Sequence, residues 1–159
     1  MFAYRILFVG AALAALAGCA AHPVPVTVAQ TMAANPQLST LSQLVARANL
    51  TDTLMASGPL TVFAPSNAAF AKVPAKTMTD LAADPVKLKA MLAYHVLPVK
   101  VMATEVKNSN AKTLNGASVA ISKAGDFVTI EDAVVQTADI PASNGVVHIV
   151  DSVLLPPAR

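Results

Sequence analysis

The chain has little that most catalytic or nucleic-acid-binding domains rely on. It contains one cysteine, no tryptophan, and charged side chains at 13% of its 159 positions. With Cys19 alone, no disulfide can form within the chain, so an exported domain of this length must be held by an apolar core. The missing tryptophan argues against an aromatic cage or a sugar-stacking platform. There is no basic stripe and no arginine cluster. Setting aside Arg5 leaves ten basic against nine acidic side chains, so nucleic acid is not an expected partner.

A long apolar run is also missing. Residues 6–16 are apolar apart from Gly10, a stretch shorter than the ~20 residues a helix needs to cross a bilayer. Following Arg5, it has the pattern of a secretory signal peptide. It ends in Leu16-Ala17-Gly18-Cys19, which resembles the bacterial lipobox. That resemblance implies cleavage between Gly18 and Cys19 and a lipid, palmitate among its acyl chains, on the Cys19 thiol. The expected organisation is a signal peptide over 1–18, a lipid-anchored tether over 19–27 and one domain over 28–157. The tether carries Pro23 and Pro25, which disfavour helix. The expected location is the cell envelope, on the outer membrane facing the periplasm or on the cell surface.

Within the mature chain, Leu38, Leu41, Leu44 and Val45 recur at helical spacing, with Ser39 or Thr40 as a cap. A short helical turn follows at Thr51 and Asp52, and Ser57-Gly58-Pro59 breaks it. Residues 60–64 predict a buried strand, and Ser66 a cap for a turn over 68–71. Pro74 and Thr79-Asp80 bracket another short helix. Asp84-Pro85 opens a further one, with Leu88, Met91 and Leu92 as its stripe and Pro98 as its end. The period then changes. Strands are expected at 112–115, 119–122, 127–130 and 134–137, separated by Asn115-Gly116 and Gly125-Asp126 turns. Asn144-Gly145 is a further turn, before a long central strand over 146–155. Helices first and strands later is an α+β pattern.

Three segments in order resemble the fasciclin domain, a family of extracellular adhesion-type modules. Residues 58–70 carry the first, with Thr61, Phe63, Pro65, Asn67 and Phe70 in it. Tyr94-His95 in residues 94–98 is similar to the family's tyrosine–histidine motif. Residues 144–156 carry the last, with Asn144, Gly145 and His148. The resemblance implies a wedge of two small β-sheets with a cluster of short helices on one side. It also implies a structural role for His95, as a buried imidazole bonding across a helix–strand junction. In animal members an Asp-Ile pair at the position of Asp139-Ile140 has been linked to integrin binding. A lipobox implies a bacterial source, and here Asp139 is expected to cap a turn with Ile140 packed beneath it.

No catalytic constellation stands out. Ser66-Asn67 follows Pro65 and lacks the glycines of a nucleophile elbow. Asp80, Asp84, Glu105, Asp126, Glu131 and Asp132 do not have calcium-loop spacing, and Lys87 and Lys89 read as a solvated helix face. His22 lies in the tether, far from His95 and His148. In the 146–155 strand, His148 and Asp151 alternate onto opposite faces. No metal or cofactor is expected. The sequence therefore predicts a non-enzymatic, lipid-anchored interaction module that contacts the membrane through its lipid and an unidentified protein or matrix polymer. A second reading is a carrier of a carotenoid-like or lipid molecule, with Met55, Met78, Met91 and Met102 lining a soft groove.

Overall fold

A computed structural model describes residues 26–56 and 58–157. The expected signal peptide, Cys19 and most of the tether lie outside the described residues.

Among the described residues, six short α-helices come mostly first: α1 Val28–Ala34, α2 Ser39–Arg47, α3 Thr51–Met55, α4 Asn67–Ala71, α5 Ala75–Ala83 and α6 Pro85–Tyr94. The strands are β1 Leu60–Pro65, β2 Val96–Leu97, β3 Ser109–Lys112, β4 Ser118–Ala124, β5 Phe127–Ile130, β6 Ala133–Ala142 and β7 Gly145–Val150. Local chemistry accounts for three of these helix starts. Thr27 and Gln30 form a capping box at α1. Ser66 accepts from the Ala69 N–H at α4, and Asp84 accepts from Val86 and Lys87 ahead of Pro85 at α6. At α2 the expected Ser39 or Thr40 cap is replaced. Both residues lie inside the helix, and the Thr40 N–H is taken by Asn67 from α4 at 3.0 Å.

The expected two sheets are joined. Strand order is β2-β1-β7-β6-β5-β4-β3, one seven-stranded sheet. β6 belongs to both halves: Ala133 and Val134 pair with β5, whereas Val135 to Ala142 pair with β7 through two register shifts. The halves fold toward each other about this strand, and the outer edges meet where the Leu114 N–H donates to the Val96 carbonyl at 2.8 Å. The sheet comes close to a barrel.

Several strand limits differ from expectation for identifiable reasons. β3 ends at Lys112 because Thr113 closes a turn onto the Ala117 carbonyl through both its N–H and its hydroxyl. β7 stops at Val150, not at 155, because the Asp151 N–H turns to Val134 and the Leu154 N–H to His95. α6 ends at Tyr94 and β2 begins two residues later, well before Pro98.

β1 and β7 run parallel at the centre, with Phe63 level with His148. Alternation divides their side chains between two cores. Val62, Ala64, Val147 and Ile149 face the helices, meeting Met32, Leu41 and Met91. Phe63 and Val150 face the other way, toward Tyr94, Leu97, Val119 and Ile130.

Candidate functional site

The residues of the three sequence motifs gather along β1, β7 and the end of α6, and their polar atoms bond inward. Thr61 is fully buried. Its hydroxyl donates to the Val99 carbonyl at 2.6 Å and accepts from the Val101 N–H at 2.9 Å. Pro65 closes β1 beside Val150, and Phe70 enters the helix-side core. Asn67 accepts from Thr40 and donates to the Pro36 carbonyl and the Ser39 hydroxyl. It ties α4 to the start of α2 across nearly thirty residues.

Asn144 does the same at the other end of the sheet. Its Oδ1 accepts from the Val28 N–H at 2.8 Å, and its amide donates to the Leu54 and Ala56 carbonyls. Gly145 does not serve a left-handed turn. It starts β7 where the backbones of β1 and β7 approach so closely that a Cβ would strike the Leu60 carbonyl.

Each motif histidine is buried, with both ring nitrogens engaged. His95 Nδ1 lies 2.8 Å from the Met91 carbonyl, and Nε2 accepts from the Leu154 N–H at 2.9 Å. The second bond requires a bare Nε2, so the proton sits on Nδ1. Burial pushes the basicity of His95 down to about 4, against a smaller opposing pull from Met91. His148 has the opposite tautomer. Its Nδ1 accepts from the Asp139 N–H at 3.1 Å, and Nε2–H donates to the Val101 carbonyl at 2.7 Å. Its ring stacks on Phe63 with centroids 5.4 Å apart. Burial lowers its pKa too, opposed by Val101 and by the Asp139 charge. Asp151 makes no contact with His148. It accepts from the Val134 N–H and pairs with Lys72 at 3.5 Å.

The turn that Asp139 caps is a distant one, opening at Ala103. Asp139 itself sits within β6 at an irregular register, with φ at +57°, and its carboxylate accepts from the Ala103 N–H at 2.8 Å. Ile140 follows opposite Val147 and packs against the helix-side core. The pair is thus built into the strand.

Tyr94 has a buried ring whose hydroxyl makes a long 3.4 Å contact with the Ser118 carbonyl. Beside it opens a cleft of about 470 Å³, lined by Glu131, Asp132, Ser152 and Leu154 among others. Burial and then the Glu131 charge raise the phenol's pKa, so this oxygen stays protonated and is a poor nucleophile. Among the described residues, no group of three His, Cys, Asp or Glu is placed to hold a metal ion.

The four methionines named for a carrier groove are dispersed. Met91 is fully buried, Met78 packs against the helix-side core, and Met55 lies on a shallow groove between α1, α2 and α3. Met102 is in the segment that joins β2 to β3. Met78 and Met91 thus share the helix-side core, while Met55 borders a surface groove. The ties made by Asn67, Asn144 and Asp139 span long sequence separations, and no local spacing pattern signals them.

This geometry describes an α+β module whose signature residues brace its own backbone. The Fasciclin domain family model matches residues 36–156, and the chain belongs to the fasciclin domain family. Protein sll1483 of Synechocystis sp. is 40% identical over 140 residues, covering 87% of this chain and 78% of that protein. The immunogenic protein MPB70 of Mycobacterium bovis is 38% identical over 150 residues, covering 91% and 75%. The cell surface glycolipoprotein MPB83 of the same species is 35% identical, covering 91% of this chain and 65% of that protein. The fold is shared with the FAS1 domain pair of the insect cell adhesion molecule Fasciclin I. The TM-score is 0.65 at 18% identity, over 82% of this chain and 51% of the pair.

Proposed function

We propose that this protein is a non-enzymatic adhesion or interaction module of the cell envelope, held at a membrane by lipid on Cys19. It would contact a protein, a matrix polymer or a neighbouring copy through its outer surface. One observation carries the reading: the polar atoms of Thr61, Asn67, His95, Asn144 and His148 are taken up by partners of the fold itself, all backbone apart from the Ser39 hydroxyl on Asn67. Groups so engaged brace a scaffold and are not free to transfer protons or attack a substrate. The relatives named as a cell surface glycolipoprotein and a cell adhesion molecule support an envelope setting. Acyl burial, about 0.8 kcal/mol per methylene, would provide membrane residence.

Two experiments test this. Cys19→Ala should yield soluble or unprocessed protein on membrane fractionation, and a variant still anchored would defeat the lipid attachment. Crosslinking on intact cells, with identification of the captured molecule, should return a specific envelope component. Substrate turnover that is lost in a folded His95 or His148 variant would overturn the non-enzymatic reading.

A further inference from the structure

The segment 99–106, between β2 and β3, has no regular secondary structure. Side chains from four strands pin it to the sheet. Thr61 of β1 binds Val99 and Val101, and His148 of β7 binds the Val101 carbonyl. Asp139 of β6 holds the Ala103 N–H, and Lys123 of β4 donates to the Ala103 carbonyl at 2.9 Å.

Two of these anchors face each other. Asp139 Oδ1 lies 2.8 Å from the Ala103 nitrogen and 3.9 Å from His148 Nδ1. At neutral pH that nitrogen is bare and accepts the Asp139 N–H. A proton added there has two effects. The Asp139 N–H loses its acceptor, and a charged donor now points at the carboxylate that holds Ala103. The backbone at Asp139 is left-handed, which a non-glycine residue rarely adopts without local bonds to hold it. Losing the N–H bond removes one of those holds.

The groups around the ring leave Asp139 as the responding partner. β1 presents Phe63 and Thr61, neither of which titrates in this range. Lys100 and Glu105 of the segment are exposed, and the Lys123 ammonium is on Ala103.

We infer that His148 and Asp139 form an acid-operated latch, in which protonation of His148 draws the Asp139 carboxylate from the Ala103 amide and loosens residues 103–106, while Thr61 and the imidazolium Nε2–H keep Val101 on the sheet and the helix-side core stays folded. The lowered basicity of the buried ring sets the transition on the acid side of neutrality. Residues 103–106 carry Ala103 and Val106 of the second core, so their loosening would expose the rim of that core.

Hydrogen–deuterium exchange with mass spectrometry on the full-length chain tests the latch, comparing pH 7 with steps down to pH 4.5 after correction for intrinsic rates. Protection over 103–106 should fall by about tenfold or more at a pH where Val101, α6 and β7 still hold theirs. Asp139→Asn keeps an oxygen acceptor for Ala103 and removes the charge. It should retain protection at pH 7 and shift the loosening to lower pH. Loss of protection over 103–106 and β7 together at every pH would overturn the latch, as would an Asp139→Asn protein that loosens at the parent's pH. The first comparison needs no variant, so it decides the matter even where the substitution fails to fold.

Discussion

The two faces of the central β1–β7 pair are built on different principles. On the helix side, Val62, Ala64, Val147 and Ile149 meet Leu, Val, Met and Ala side chains, and hydrophobic packing does the holding. On the far side, Phe63 and Val150 share their surroundings with Thr61 and His148, while His95 links α6 to the chain beyond β7. An aliphatic interior is specified by volume and tolerates exchange of similar shapes. A polar interior is specified by partners. It tolerates little, because each buried group left alone retains its full desolvation cost.

The largest expected effect breaks the polar side. His95→Ala leaves the Leu154 N–H and the Met91 carbonyl without their partner and opens a cavity, and should cost about 4 kcal/mol in urea unfolding at pH 7.

Acid attacks the same residue. The folded pKa of His95, about 4, lies below its ordinary 6.5, so the unfolded chain binds the proton more readily. The stability this ring contributes is complete above pH 6.5 and is lost as pH falls from 6.5 through 4. It amounts to about 3 kcal/mol, by the conversion of roughly 1.4 kcal/mol per pH unit. Urea midpoints across that window should fall in the parent and flatten in a folded His95 variant.

Thr61→Val keeps the shape and strips two hydrogen bonds, and should cost about 2 kcal/mol. Met91→Leu, an equally conservative change in the aliphatic core, should cost no more than about 1 kcal/mol. Equal costs for these last two substitutions would erase the distinction between the faces.

The same division explains what could be read from the residues alone. The helix-side stripe at Leu41, Leu44 and Val45, the Asp84-Pro85 start of α6, and the glycine turns at Gly116 and Gly125 rest on local spacing, and the fold has them. The first helix escaped the sequence reading, which gave residues 28–34 no element, although Thr27 and Gln30 carry its capping box. The Asn67 cap on α2, the Asn144 ties to α1 and α3, and the left-handed step at Asp139 depend on residues far apart in the chain. Alternation could place His148 on one face of a strand, but not name Asp139 and Val101 as its neighbours. The excess length given to β7 has a similar origin. Val153, Leu154 and Leu155 look like strand, yet the His95 side chain just past α6 takes the Leu154 N–H away from any ladder.

The bond from Leu114 to Val96 has a bearing on how such a molecule can touch another. An open sheet invites a visiting strand to add itself to the end, backbone to backbone, with little regard for sequence. Here the rim at β2 is already occupied, and the opposite rim is the four-residue β3, ending in Lys112. A sheet tied at one rim and short at the other offers little free backbone for such pairing.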